Sequence, residues 1–314
     1  MALTQVTNSM LAFDGGPLGM RNRIINGNMY VAQRATSATV TAGTTVPTIS
    51  TGYPCVDRWF VYSTGANVTA AQVAGATNNK NLLQVTGAAS VTAVGIGQRI
   101  EQLNSYDLAG QTCTLSVNIA NSLLTTVTWT ASYATTTADT FGTIGTPTKT
   151  QIATGTFTVT ATLTQYTVNI AVPAAATTGI EILFTVGAQI SGTWQIGNAQ
   201  LEVGTVATPF ERRLYGPELA LCQRYYEKMN SAQFDIPANT AYSSSGLGSY
   251  LFPYKVTKRT NPTLTGATVS AVGISLNSSS TTVDFAKVNA TFAGGTGYGA
   301  VGFSATGDAS AEVV

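Results

Sequence analysis

Apolar residues in this chain recur at every second position, in short runs, and that spacing confines it to β structure. Between Thr154 and Val172, Phe157, Val159, Ala161 and Leu163 fall on one parity, and Tyr166, Val168, Ile170 and Val172 fall on the other. Successive side chains of a strand point to opposite faces. The change of parity therefore demands a turn or bulge near Thr164 and Gln165 that divides the run into two strands. Pro173 ends the second of them. Ile180, Ile182, Phe184 and Val186 repeat the alternation, as do Leu115, Val117 and Ile119 after the break at Gly110. These read as half-buried antiparallel strands. Up to about residue 213 such runs are punctuated by Gly, Asn, Ser and Pro at the spacing of a β-sandwich. Abundant Thr fits the same picture, because β-branching favours the pleated conformation and a hydroxyl keeps an outer face wet without charge.

One stretch departs from this pattern. GPELALCQRYYEKM at 216–229 carries Pro217 and Glu218 at its start and Lys228 at its end, as a helix dipole prefers. Leu221, Cys222, Tyr225 and Met229 would form one apolar stripe, able to pack on a sandwich or against its copies about a threefold axis. After Asn230 the β pattern resumes. At 314 residues the chain exceeds one compact core. The expected division is an attachment arm at 1–20, rich in glycine, a first β domain at 21–213, a linking helix at 214–230 and a smaller β domain at 231–314. The fold class is thus all-β, a β-sandwich followed by a linking helix and a second, smaller sandwich.

Composition removes whole classes of function. The chain has no histidine, which excludes His-dependent triads and the usual zinc sites. Charged residues make up 9%, with 15 Lys plus Arg against 14 Asp plus Glu, and no basic block stands out, so nucleic acid is not an expected partner. A net charge of +1 on so large a chain favours self-association. Few charges also mean few lysines to discourage edge pairing, so sheet edges are expected to be covered by neighbouring subunits. Cys55, Cys113 and Cys222 fit neither a disulfide framework nor a CxxC site and read as buried thiols. No secretion signal or membrane-spanning run is legible, which points to synthesis in a cytosol and no membrane insertion.

Candidate motifs are weak. Gly297, Gly299 and Gly302 match GxGxxG, but the residues after them do not open a helix, so turns account for them. Asp57, Glu101, Asp107, Glu181 and Glu202 show no spacing that pairs two acids for glycoside cleavage, and structural roles are expected. No calcium loop, metal site or cofactor motif is present in the sequence. Trp59 and Trp194 read as core residues, while the mixed surroundings of Trp129 leave it open. Tyr242, Tyr250 and Tyr298 sit beside Gly and Ser in a composition typical of recognition loops, and with Asp284 they form the candidate ligand contacts of the second domain.

Four stretches resemble bacteriophage tail-fibre and prophage tail proteins: NRIINGNMYVAQR at 22–34, YPCVDRWFVY at 53–62, GQRIEQLNSYDLAGQTCTLSV at 97–117, and GTWQIGNAQLEVGTVATPFERRLYGPELALCQRYYEK at 192–228. FPYKVTKRTNPTLTG at 252–266 continues the pattern. The resemblance implies a carbohydrate-binding-module-like jelly roll at 21–213 and a receptor-facing tip, assembled as a homotrimer. It places Phe210, Leu221, Cys222 and Tyr225 in the segment joining the domains near the threefold axis. The expected function is that of a non-enzymatic virion protein, a trimeric tail fibre that binds host surface glycan and docks through its arm on a baseplate or another tail protein. A capsid or tail decoration protein is the alternative, and a polysaccharide depolymerase a more distant one.

Overall fold

The computed structural model describes residues 20–49, 51–76, 79–236, 246–270, 274–292 and 301–313. The chain divides into two compact units, Met1–Tyr215 with Val313–Val314, and Gly216–Glu312. Apart from Met20, the expected attachment arm lies outside the described residues.

The first unit is a jelly-roll sandwich of eleven strands: β1 Ser37–Val40, β2 Phe60–Thr64, β3 Val68–Ala74, β4 Asn81–Thr86, β5 Ala93–Ile100, β6 Thr112–Asn121, β7 Thr126–Ala134, β8 Lys149–Thr158, β9 Thr164–Ala171, β10 Ile180–Val186 and β11 Thr193–Val203. They form a six-stranded sheet in the order β1-β3-β4-β11-β6-β9 and a five-stranded sheet in the order β2-β5-β10-β7-β8. Every pairing is antiparallel. The core between the sheets takes the alternate residues of both, including Ile96, Leu115, Val117, Ile182, Phe184, Trp194 and Ile196. Trp59 and Trp194 are fully buried, and the indole N–H of Trp59 donates to the Asn26 carbonyl at 3.0 Å. Trp129, undecided from its neighbours in sequence, is core as well.

The parity change after Leu163 has a tertiary cause. β8 is the last strand of the five-stranded sheet and β9 the last of the six-stranded one, so residues 159–163 carry the chain from one sheet to the other. Both strands face one core, and the Phe157 and Tyr166 rings meet with centroids 5.3 Å apart. The turn therefore lies just before Thr164 rather than at it.

Helix α1 Tyr215–Gln223 begins at the last residue of the Met1–Tyr215 segment of the first unit, and among the described residues the second unit continues with β12 Tyr226–Ile236, β13 Gly246–Pro253, β14 Thr263–Ser270, β15 Ile274–Thr281, β16 Phe285–Phe292 and β17 Val301–Ser310. Two three-stranded sheets, β12-β17-β14 and β13-β16-β15, make the smaller sandwich. Gly302 stands in β17 opposite Asp235, in a strand and not at a helix start.

The helix corrects one expectation. It stops at Gln223, and Tyr226–Met229, read from sequence as its last turn, form the start of β12 opposite Gly307–Ser310. A spacing of four residues satisfies a helix face and also two steps along one strand face, so the pattern did not discriminate. The distant β17 decided it. The buried helix face is accordingly different, with Glu218, Cys222 and Gln223 covered and Leu221 only half-buried.

Candidate functional site

The five-stranded sheet turns a second face away from the core, and register builds that face row by row. One row runs Phe60, Gly97, Leu183, Thr130, Thr154, and the next runs Tyr62, Gly95, Thr185, Thr128, Thr156. Thr126 opposite Thr158 begins a third, and Arg99, Glu181, Ser132 and Gln151 make a fourth at the other end.

Glycines in β5 explain the aromatic end. A Cβ on Gly95 would lie 2.0 Å from Cε1 of Tyr62, and one on Gly97 would lie 2.4 Å from Cζ of Phe60, so both rings lie across the bare backbone. Glycine inside a strand has this use, admitting a ring where any side chain would collide. Tyr53 and Leu183 complete a small apolar cluster with these rings, with Val46 and Ile144 packed against it. Burial and the charge of Glu181 push the Tyr62 phenol up to about 12, so it remains a neutral hydroxyl.

The charged end is closed by its own pairs. Arg99 Nε donates to Glu181 at 2.8 Å, Lys149 Nζ donates to the other carboxylate oxygen, and the Arg99 guanidinium lies between the Phe60 and Phe141 rings, 5.4 and 5.3 Å from their centroids. A further guanidinium N–H donates to the Gly142 carbonyl at 2.5 Å. Arg99 and Glu181 are buried, where the cost of desolvating both charges offsets much of their attraction.

Between the aromatic end and the sheet edge lies a band of seven threonines. Thr126, Thr154, Thr156 and Thr158 are exposed, and Thr128, Thr130 and Thr185 are half-buried. Thr154 Oγ1 donates to the Trp129 carbonyl at 2.8 Å, which leaves Thr130 as the donor in the 3.1 Å hydroxyl pair of Thr130 and Thr154. Strand geometry spaces these hydroxyls about 4.8 Å across and about 6.8 Å along the sheet. The band is a rigid, uncharged lattice of donors and acceptors, suited to a ligand that is itself rich in hydroxyls. Sequence reading missed it, although TVTWT at 126–130 and TGTFT at 154–158 carry the T-x-T-x-T signal twice.

The acids weighed for catalysis have other engagements. Asp57 accepts from the Gln33 backbone N–H at 3.0 Å and its amide at 2.5 Å; Asp107 pairs with Arg23 at 2.5 Å. Glu202 accepts from Thr208 N–H at 2.9 Å and Oγ1 at 2.6 Å, and Glu101 accepts from the Asn104 amide at 3.3 Å. Among the described residues no group of three or more His, Cys, Asp or Glu is placed to hold a metal, and no helix is long and apolar enough to cross a membrane. All three cysteines are buried thiols, and burial pushes Cys55 and Cys113 up to about 11.

Of the candidate ligand contacts, Tyr242 and Tyr298 lie outside the described residues, and Tyr250 is placed only by register, opposite Val288. Asp284 is exposed in the turn before β16. It accepts from Thr257 Oγ1 at 2.9 Å, and its carbonyl accepts from the Tyr254 N–H at 2.9 Å, so it organises the 254–257 segment. Phe210 is half-buried with its ring over Gly27, while Cys222 and Tyr225 are fully buried.

No protein-family model and no curated protein sequence matches the chain. Solved structures do. The enzymatically active domain of bacteriophage CBA120 tailspike protein 4 aligns at 20% identity and a TM-score of 0.36, covering 59% of this chain and 22% of that one. A family 4 carbohydrate-binding module aligns at 12% and 0.37, covering 57% and 98%. The N-terminal cellulose-binding domain of a Cellulomonas fimi β-1,4-glucanase aligns at 16% and 0.32, covering 48% and 90%.

Proposed function

We propose that this chain is a non-enzymatic tail-fibre protein of a phage virion, acting as a homotrimer that adsorbs to a neutral glycan on the host surface. The threonine band carries the reading. A lattice of hydroxyls without charge offers hydrogen bonds to a sugar chain and no counter-charge to favour an anion, and the adjoining Tyr62 adds a phenol that stays protonated. Each such bond contributes only about 1 kcal/mol net, so one copy binds weakly and three copies on one fibre supply the avidity. The likeness of the four stretches to tail-fibre proteins supports the location in the tail. In this reading residues 1–20 attach to a baseplate or another tail protein. The second unit adds contacts from Tyr242, Tyr250, Asp284 and Tyr298, and the segment holding Phe210, Leu221, Cys222 and Tyr225 joins the two units near the threefold axis.

The test is calorimetric titration of the full chain with host surface polysaccharide, neutral and acidic fractions separately. Removing one row of hydroxyls in T128V/T156V/T185V, which keeps the β-branched shape in the strands, is expected to weaken binding of the neutral fraction at least about tenfold with circular dichroism unchanged. Equal affinity of the variant and the parent would discard the band as the site. Release of reducing ends during the incubation would overturn the non-enzymatic reading.

A further inference from the structure

The two flanks of the first sandwich are finished differently. On the β1/β2 flank the Val61 N–H donates to the Gly52 carbonyl at 2.8 Å and the Ser63 carbonyl accepts from the Gly43 N–H at 2.9 Å, so the 43–52 loop closes the β2 edge. β1 is only four residues long. On the opposite flank β8 pairs with β7 alone and β9 with β6 alone, and among the described residues no backbone hydrogen bond reaches the outer edge of either.

Edges left open in this way are normally blunted by charge, proline, bulges or brevity. β9 has none of these devices. It runs in unbroken register from Thr164 to Ala171, and it contains no charged residue and no proline. In β8 the one charged side chain, Lys149, is spent on Glu181, and an extra residue at Ile152 bulges the strand, leaving Ala153–Thr158 regular. The core also comes to the surface here, since Ile152, Ala153, Tyr166 and Val168 are only partly covered. The Val172 N–H bonds inward to the Gln111 carbonyl at 2.9 Å. By the alternation of an antiparallel pair, the N–H and C=O groups of Gln165, Thr167 and Asn169 point outward.

We propose that this flank is where copies of the chain join, with the β9 edge of one copy continuing the sheet of the next through the β8 edge. This rests on the trimeric reading above and gives it an interface. β8 and β9 end their sheets on the same flank, so a β9-to-β8 contact between copies is head-to-tail, and in the trimer of the reading above it repeats three times about one axis. The occupant is a second copy because the strip is neutral. Charges that would select a different partner are absent from both strands once Lys149 is paired, and a chain of net charge +1 does not repel itself. Facing threonines already bond across strands within the fold, as in Thr130 of β7 with Thr154 of β8 at 3.1 Å.

The experiment is light scattering behind size exclusion on the full chain, with two variants and hydrogen exchange on the parent. T167P removes an outward N–H that a free edge does not need, and Q165K/T167K places two lysines on the edge. The parent is expected to run as a trimer of 32.5 kDa chains with slow exchange at Gln165, Thr167 and Asn169, and both variants as monomers with parental circular dichroism. Trimers in the variants, or fast exchange at those amides in the parent trimer, would overturn the interface and leave the trimeric fibre standing. A parent that is monomeric or dimeric would overturn both. Should a variant fail to fold, the exchange measurement on the parent decides.

Discussion

Gly95 shows how one missing side chain shapes the candidate site. Its neighbours across β2 and β10 are Tyr62 and Thr185, and the Tyr62 ring occupies the place of a Cβ. Gly95→Ala must therefore displace the ring or the strand. Overpacking of this kind costs about 1–3 kcal/mol, and here it also moves the phenol beside the threonine band. The variant is expected to melt lower and to bind neutral glycan less well, whereas Gly43→Ala, with nothing within 4 Å of a new Cβ, should do neither. Parental melting in Gly95→Ala would show that the ring has room to shift.

Lys258 ties several segments of the second unit together. It is buried, its Nζ donates to the Gln223 carbonyl at the end of α1 at 2.5 Å and to Glu227 of β12 at 2.7 Å, and it lies 4.6 Å from the centroid of the Tyr254 ring. Burial holds its ammonium below the ordinary lysine range, opposed by the Glu227 carboxylate. A lysine on a terminal helix carbonyl satisfies a group that the helix leaves orphaned, which contributes to α1 ending where it does. Lys258→Met should cost about 3–5 kcal/mol, because Glu227 is left buried without its partner. The double variant Lys258→Met/Glu227→Leu should recover part of that loss in urea melts. If the single variant costs nothing, the pair is not what holds the helix end to the strand.

At the scale of the whole molecule, the buried thiols and phenol of the first unit make its stability fall at alkaline pH. Cys55 and Cys113 ionise near 9 when unfolded and near 11 when folded, and Tyr62 rises from 10 to about 12. Below pH 9 both states hold these protons and the full stability is present. Above it the unfolded chain releases them and the folded chain does not, so stability falls as pH rises through 9 to 11, by roughly 2–3 kcal/mol for each thiol. All three tryptophans belong to the first unit, so their fluorescence reports its melting alone. The melting temperature should fall between pH 7.5 and 10.5, less steeply in Cys113→Ala, and an unchanged value would contradict the burial of these groups. The sequence by itself determined the β class, the strands around Leu115 and Ile182, the tryptophan cores at 59 and 194, and the buried thiols, because alternation and residue chemistry are local. Only the tertiary structure decided that the parity slip after Leu163 is a crossing between sheets, that Tyr226–Met229 is strand, and that Thr185, Thr128 and Thr156 stand in one row. Each of these depends on a partner strand distant in sequence, and register across such a gap is set by packing that periodicity within one segment does not contain.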